Sequence, residues 1–328
     1  MLNNRFAPLA TAALAPAVWG TTYVVTTELL PPDRPMLAAL LRALPAGLLL
    51  VAVSGRLPRG SWWWRAAVLG ALNIGIFFAL LFVAAYRLPG GLAAIFGAAQ
   101  PLLVAVLAAG LLGSRLTWRT MLAAAAGVVG VALLVLRSDA RLDALGVLAA
   151  IGGAAVMALG VVLSKKWKPP APVLAVTGWQ LVAGGLVLLP ATLLMEGPPP
   201  AALTGRNVAG YLYLSLLGTA IAYTAWFRGI RDLPATSVTF LGLLSPVVAT
   251  VAGWLLLDQR FTAGQLAGAG IVLAALVAGQ ARPAPAAAPA PATPPAPRRI
   301  APGRQASSAP VRKTERSAER GPSEHIGS

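Results

Sequence analysis

Long apolar runs separated by short polar or Pro/Gly-bearing joints fill the chain up to about residue 280, and ten such runs can be counted. A hydrocarbon core about 30 Å thick needs roughly 17–25 apolar residues per helix. Runs at about 7–30, 35–54, 66–86, 91–112, 120–136, 144–162, 173–195, 207–227, 235–257 and 263–280 are therefore each predicted to cross a membrane once. The joints are too brief to hold a soluble domain. From about Ala281 the pattern changes to Pro/Ala-rich and then charged, Ser-rich sequence. Such a segment cannot bury a core, and residues 281–328 are predicted to form a disordered basic tail on the cytoplasmic side.

The apolar pattern also repeats itself. Phe82–Thr117 aligns without a gap with Phe227–Thr262, and ten pairs are identical, among them Pro89/Pro234, Gly97/Gly242, Pro101/Pro246 and Arg115/Arg260. Apolar matches are cheap, but prolines and glycines set backbone features, so these pairs carry weight. A duplicated membrane unit is the mark of many transporters. Residues 1–140 and 141–280 each hold five predicted spans. An odd number returns the chain on the opposite side, so the second copy must insert upside down. The expected fold class is an all-α polytopic membrane protein, ten transmembrane helices as two inverted five-helix repeats enclosing a cavity near the midplane.

Composition agrees with this. The chain is 57% hydrophobic and 11% charged, against roughly a quarter charged in soluble domains. It has no cysteine, which excludes disulfides and thiolate chemistry. The net charge of +16 comes from residues between apolar runs and in the tail, so it reads as topology signal and lipid-headgroup contact rather than nucleic-acid binding. With the N-terminus inside, eleven Lys and Arg fall in cytoplasmic joints and six in outer ones. Both termini are thereby predicted to be cytoplasmic, with Trp62, Trp63 and Trp64 at the inner interface. No small-residue cleavage site clearly follows the first run, which argues against a cleaved signal peptide.

Four stretches carry a family resemblance: WGTTYVV (Trp19–Val25), LAALLRALPAGLLL (Leu37–Leu50), AAYRLPGGLAAIFGAAQPLL (Ala84–Leu103) and the run Thr219–Leu257. They resemble the EamA family of the drug/metabolite transporter superfamily, and within it the PecM-like pigment or metabolite exporters. The resemblance implies efflux of small organic solutes, amino acids among them, across a bacterial plasma membrane. Members often carry Glu-Arg after the fourth and ninth spans. Here those places read GSRLT and DQRFT, with Ser114 at the Glu position and Asp258 displaced by one. An uptake transporter would look the same in sequence, and a non-transporting scaffold is the alternative of a different class.

Ionisable groups inside hydrocarbon cost on the order of 3 kcal/mol at a helix centre, so each one is a functional candidate. Two stand well inside spans, Glu28 and Arg42. Either they pair at the outer rim of the cavity, with Arg42 free to take a substrate carboxylate, or Arg42 snorkels outward while Glu28 sits among headgroups. Glu28 is also the candidate proton-coupling residue. Gln100 before Pro101 and Ser245 before Pro246 occupy matching places, where a proline kink would free backbone carbonyls beside a polar side chain. Trp19, Tyr23, Asn73, Trp179, Gln180, Tyr223 and Trp226 complete the candidate substrate surface, Gln180 being the approximate counterpart of Arg42. Small residues at Ala123/Gly127, Ala126/Gly130 and Gly264/Gly268 suit close helix packing within the chain, or a homodimer face on the tenth span.

The single histidine, His325, lies in the tail, and no GxxxxGK[ST] loop occurs. Metal, nucleophilic and ATP-dependent chemistry therefore find no residues in the spans, no cofactor is expected, and the reading is of a solute carrier rather than an enzyme. Reporter fusions to the two ends are expected to report from the same, cytoplasmic side. Ends on opposite sides would require an odd number of crossings.

Overall fold

The computed structural model describes residues 3–88, 92–135, 143–200, 202–257 and 262–280. The tail lies outside the described residues, as do Pro89, Arg137, Arg141, Asp258 and Arg260 and the side chain of Tyr23. Helices form because Ala, Leu and Val dominate the runs, and because backbone groups in hydrocarbon must find partners within the chain. Among the described residues, ten helical segments are long and apolar enough to cross a membrane.

The first two spans are unbroken helices, α1 (Asn3–Leu29) and α2 (Pro35–Ser54). The third consists of α3 (Trp62–Gly70), a π-helical turn (Ala71–Ile76) and α4 (Phe77–Arg87). The fourth is broken into α5 (Leu92–Gly97) and α6 (Gln100–Leu112). The fifth, sixth and seventh are α7 (Trp118–Val135), α8 (Ala144–Lys166) and α9 (Val173–Met195). The eighth repeats the design of the third: α10 (Gly205–Ser215), a π turn (Leu216–Ile221) and α11 (Ala222–Asp232). The ninth repeats that of the fourth, with α12 (Ala235–Leu241) and α13 (Leu244–Leu257), and α14 (Ala263–Gln280) ends the bundle.

The two π turns sit 145 residues apart, and the two helix breaks, at 98–99 and 242–243, fall 144 residues apart. The kinks expected at Pro101 and Pro246 are breaks that precede each proline. Pro101 is accommodated at the very start of α6 and Pro246 in the first turn of α13. Proline has no N–H to offer the preceding turn, whereas the first turn of a new helix needs none.

Packing follows the same doubling. α1 lies against α11 and α13, and its counterpart α8 lies against α4 and α6. α7 packs on α14, and α2 on α9. Along this last pair Gly47 meets Leu181 and Val182, Leu44 meets Gly185, and Leu50 and Val51 meet Gly178. Rising numbers on α2 meet falling numbers on α9, so the two run antiparallel. A Cβ on Gly47 would lie 2.6 Å from the Val182 nitrogen, so glycine is what lets these backbones touch. At the far end Glu196 accepts hydrogen bonds from the Met36 and Leu37 amides (2.5 and 2.9 Å), capping α2 from another helix.

Small residues of the fifth and tenth spans meet within the chain at one place. Gly130 and Gly268 face each other across α7 and α14, where a Cβ on Gly268 would stand 2.7 Å from the Gly130 carbonyl and 2.8 Å from the Leu134 nitrogen. Backbone atoms cannot yield as a side chain can. Gly268→Val is therefore expected to lower the thermal midpoint of the detergent-solubilised protein, at a cost of about 1–3 kcal/mol from overpacking. Gly264→Ala, whose nearest neighbour is 3.8 Å away, should not lower it.

Candidate functional site

The π turns place the polar chemistry. A π turn widens the helix and upsets its regular ladder, and such turns recur at functional sites. In the eighth span the Gly218 carbonyl accepts from the Trp19 indole Nε1 at 2.9 Å and from Arg42 Nη2 at 3.1 Å. Arg42 Nε also donates to Thr219 Oγ1 at 3.1 Å. The guanidinium lies 4.8 Å from the centre of the Phe78 ring, a cation–π arrangement contributed by the third span. Arg42 is only 6% exposed, and among the described residues it forms no ion pair with a carboxylate.

A second polar cluster forms on the other π turn. Asn73, fully buried in the third span, donates through Nδ2 to Gln180 Oε1 at 2.8 Å and to Ser164 Oγ at 3.1 Å. Arg42 and Gln180 are each the eighth residue of their helix, α2 and α9. Each reaches a π turn of the opposite half: Arg42 the turn at 216–221, Gln180 the turn at 71–76. Trp19, Tyr223 and Phe78 pack beside the Arg42 cluster, with Trp19–Tyr223 ring centres 4.9 Å apart and Tyr223–Phe78 6.1 Å apart. Tyr223 also meets Phe227 at 5.8 Å, and Trp226 meets Trp19 at 5.2 Å.

Several buried polar atoms have no partner among the described residues: Asn73 Oδ1, Gln100 Nε2 and Trp226 Nε1. An unsatisfied buried donor or acceptor costs about 1–3 kcal/mol, which a bound solute or water can relieve. Gln100 opens and Ser245 is the second residue of the helices that follow the two breaks, and the Ser245 carbonyl lies against Gly20 of the first span.

Other candidates are placed elsewhere. Of the two sequence readings, a Glu28–Arg42 pair or an outward-turned Arg42 with Glu28 among headgroups, the structure shows neither the pair nor the outward turn. Glu28, at the last turn of α1, faces Arg206 at 3.6 Å with both side chains about half exposed, while Arg42 turns inward to Gly218, Thr219 and Phe78. The reason is geometric: the π turn supplies acceptors at the depth of Arg42, whereas Glu28 stands at the rim beside the start of α10. Trp179 points away from its neighbour Gln180. Its Nε1 donates to the Arg56 carbonyl at 2.7 Å and its ring packs 6.4 Å from Trp62, tying α9 to the joint after α2. Gly218, Thr219, Phe78 and Ser164 were not singled out from sequence. A glycine and a phenylalanine in an apolar run carry no signal, because the π turn that makes them matter is not visible in the letters.

Known families place the chain. The EamA-like transporter family matches it twice, over residues 7–136 and 144–278. The chain belongs to that family. Protein PecM of Dickeya dadantii is 48% identical over 268 residues, covering 81% of this chain and 90% of that protein. A probable amino-acid metabolite efflux pump of Salmonella typhimurium is 27% identical, covering 81% and 92%. A solved crystal structure superposes with a TM-score of 0.71 at 20% identity, covering 84% of this chain and 96% of that one, which shows a shared fold. This EamA-like protein is a multi-pass membrane transporter, and its polar clusters lie where its two family matches meet in space.

A Cβ on Gly160 would overlap the Asn73 carboxamide oxygen. Gly160→Ala should displace Asn73 from Gln180 and Ser164 and lower thermal stability by about 1–3 kcal/mol. Glycine-to-alanine in a helix otherwise stabilises by up to about 1 kcal/mol. Gly152→Ala on the same helix, with 3.5 Å to its nearest neighbour, should leave the midpoint unchanged or raised.

Proposed function

We propose that the chain exports small organic metabolites across a bacterial plasma membrane by alternating access, with both termini in the cytoplasm. Its halves, 1–140 and 141–280, act as inverted copies that rock about the seam made by α2, α9, α7 and α14. The observation that carries the reading is Arg42: a buried cation held by neutral acceptors across the two halves, with no carboxylate beside it among the described residues. Such a group is costly in hydrocarbon unless an anion comes to it. A solute carboxylate on Arg42, hydrogen bonds from the Asn73–Gln180 cluster and the ring surface of Tyr223 would together hold an amphipathic metabolite. Gln100 and Ser245 would add polar groups from the broken helices, whose short arms can tilt as the halves move.

Support for the inverted relation comes from three features. The π turns recur after 145 residues and the breaks after 144. The contacts of α1 with α11 and α13 are mirrored by those of α8 with α4 and α6. Gly47–Val182 and Leu44–Gly185 are reciprocal contacts of the kind a two-fold axis produces. Support for export comes from the relatives, one of them a probable amino-acid metabolite efflux pump. Proton coupling through Glu28 belongs to the same proposal: protonation would release Arg206 at the rim and loosen α1 from α10.

Comparison of medium metabolites from cells with and without the protein should reveal a solute that accumulates outside only when it is present. That solute should then show saturable flux in reconstituted vesicles. Arg42→Met should abolish the flux at least tenfold, and Glu28→Gln should flatten its dependence on an imposed pH gradient. Unsaturable flux would sink the transporter reading, and an unaltered pH dependence would remove Glu28 from the coupling role.

A further inference from the structure

At the end of the bundle opposite Glu28, a cavity of about 260 Å³ opens between α8, α9 and α11. Ser164, Lys165, Lys168, Gln180, Phe227 and Arg231 line it together with an apolar wall, and no carboxylate is among its lining residues. We propose that this cavity is the loading subsite of the transporter and that it selects a small organic anion with an apolar body. The proposal rests on the transporter reading and adds to it the class of solute and the point of capture.

Four features carry it. The rim is cationic, and the nearest acidic group is already engaged: Asp232 accepts from Arg231 at 2.7 and 3.2 Å and lies 3.7 Å from Arg228. Lys165 Nζ donates to the Arg231 and Leu233 carbonyls at 2.7 and 2.8 Å, at the C-terminal end of α11. An ammonium has three protons, so it is held in place with one left to offer. On the inner wall, the Gln180 carboxamide accepts from Asn73 through its oxygen and has two N–H donors of its own. The volume lies just below the range of about 300–1,000 Å³ common for ligand pockets, which suits a metabolite of amino-acid or aromatic-acid size and excludes a large one.

The cavity also leads towards the buried cation. Phe227 lines it, Tyr223 stands 5.8 Å behind Phe227, Phe78 stands 6.1 Å beyond Tyr223, and Arg42 lies 4.8 Å over Phe78. An aromatic partition thus separates two cationic stations, one reached from the rim and one enclosed. An anion captured at the first can move to the second when the rings shift, its apolar body remaining against rings throughout.

The test uses two probes of similar size and opposite fixed charge, benzenesulfonate and phenyltrimethylammonium, titrated calorimetrically into the full chain purified in uncharged detergent. Benzenesulfonate is expected to bind at least about tenfold more tightly, a difference of about 1.4 kcal/mol. Lys168→Gln and Arg231→Gln should each weaken it several-fold, and Phe227→Ala should weaken it without changing the preference for the anion. Equal affinity for both probes, or variants that bind like the parent, would overturn the proposal. So would protection by phosphatidylglycerol with no binding of benzenesulfonate, which would make the rim a lipid contact. Tracer flux in vesicles separates this idea from the transporter reading. Selective anion binding without saturable flux keeps the subsite and removes the transporter. Saturable flux that ignores solute charge keeps the transporter and removes the subsite. An inside-negative potential that drives benzenesulfonate out through the parent chain, and not through Arg42→Met, supports both.

Discussion

Inside a bilayer a backbone carbonyl has no water to turn to, so every departure from the regular helix must be answered by another group of the chain. The π turn at 216–221 is such a departure, and the Gly218 carbonyl is answered twice, by the Trp19 indole and by the Arg42 guanidinium. That exchange permits a permanently charged side chain to sit at 6% exposure in a bundle of Ala, Leu and Val. Remove the π turn and Arg42 has nothing at its depth to donate to. Remove Arg42 and the turn keeps only the indole.

Because the turn recurs in the third span, the molecule holds two polar clusters built on one plan with different side chains. The cluster around Gly218 is cationic, and the one around Asn73 is neutral and leaves an amide oxygen without a partner among the described residues. Close approach of α2 and α9, which carry Arg42 and Gln180, makes both possible, and Gly47, Gly178 and Gly185 are what let the two helices come so near. The packing energy of the seam is thus tied to the geometry of the site.

Charges at the rims have a different role. Glu28–Arg206, Arg87–Asp143 and Arg231–Asp232 are half-exposed pairs whose separate contributions to stability are small. Their importance lies in what they leave over. At the Lys165 end the carboxylate is engaged and cations remain facing a cavity. At the Glu28 end acid and base face each other.

The pattern of apolar runs determined the ten spans and the all-helical class, because a helix that crosses hydrocarbon announces itself by length and composition alone. It also made the duplication visible, since Pro101/Pro246 and Gly97/Gly242 mark the same break in both copies, and it pointed to Arg42, Asn73 and Gln180, since polar residues are conspicuous against such a background. What those residues touch was decided only by the tertiary structure. Whether Glu28 or Gly218 would receive Arg42 depends on where a helix widens, and widening is a backbone property that leucine, glycine and threonine at 216–219 do not spell out. Trp179 and Gln180 are adjacent letters on one helix, yet one ties down a joint at the rim and the other joins the inner cluster. Successive residues on a helix point about 100° apart, and only packed neighbours determine which direction is inside.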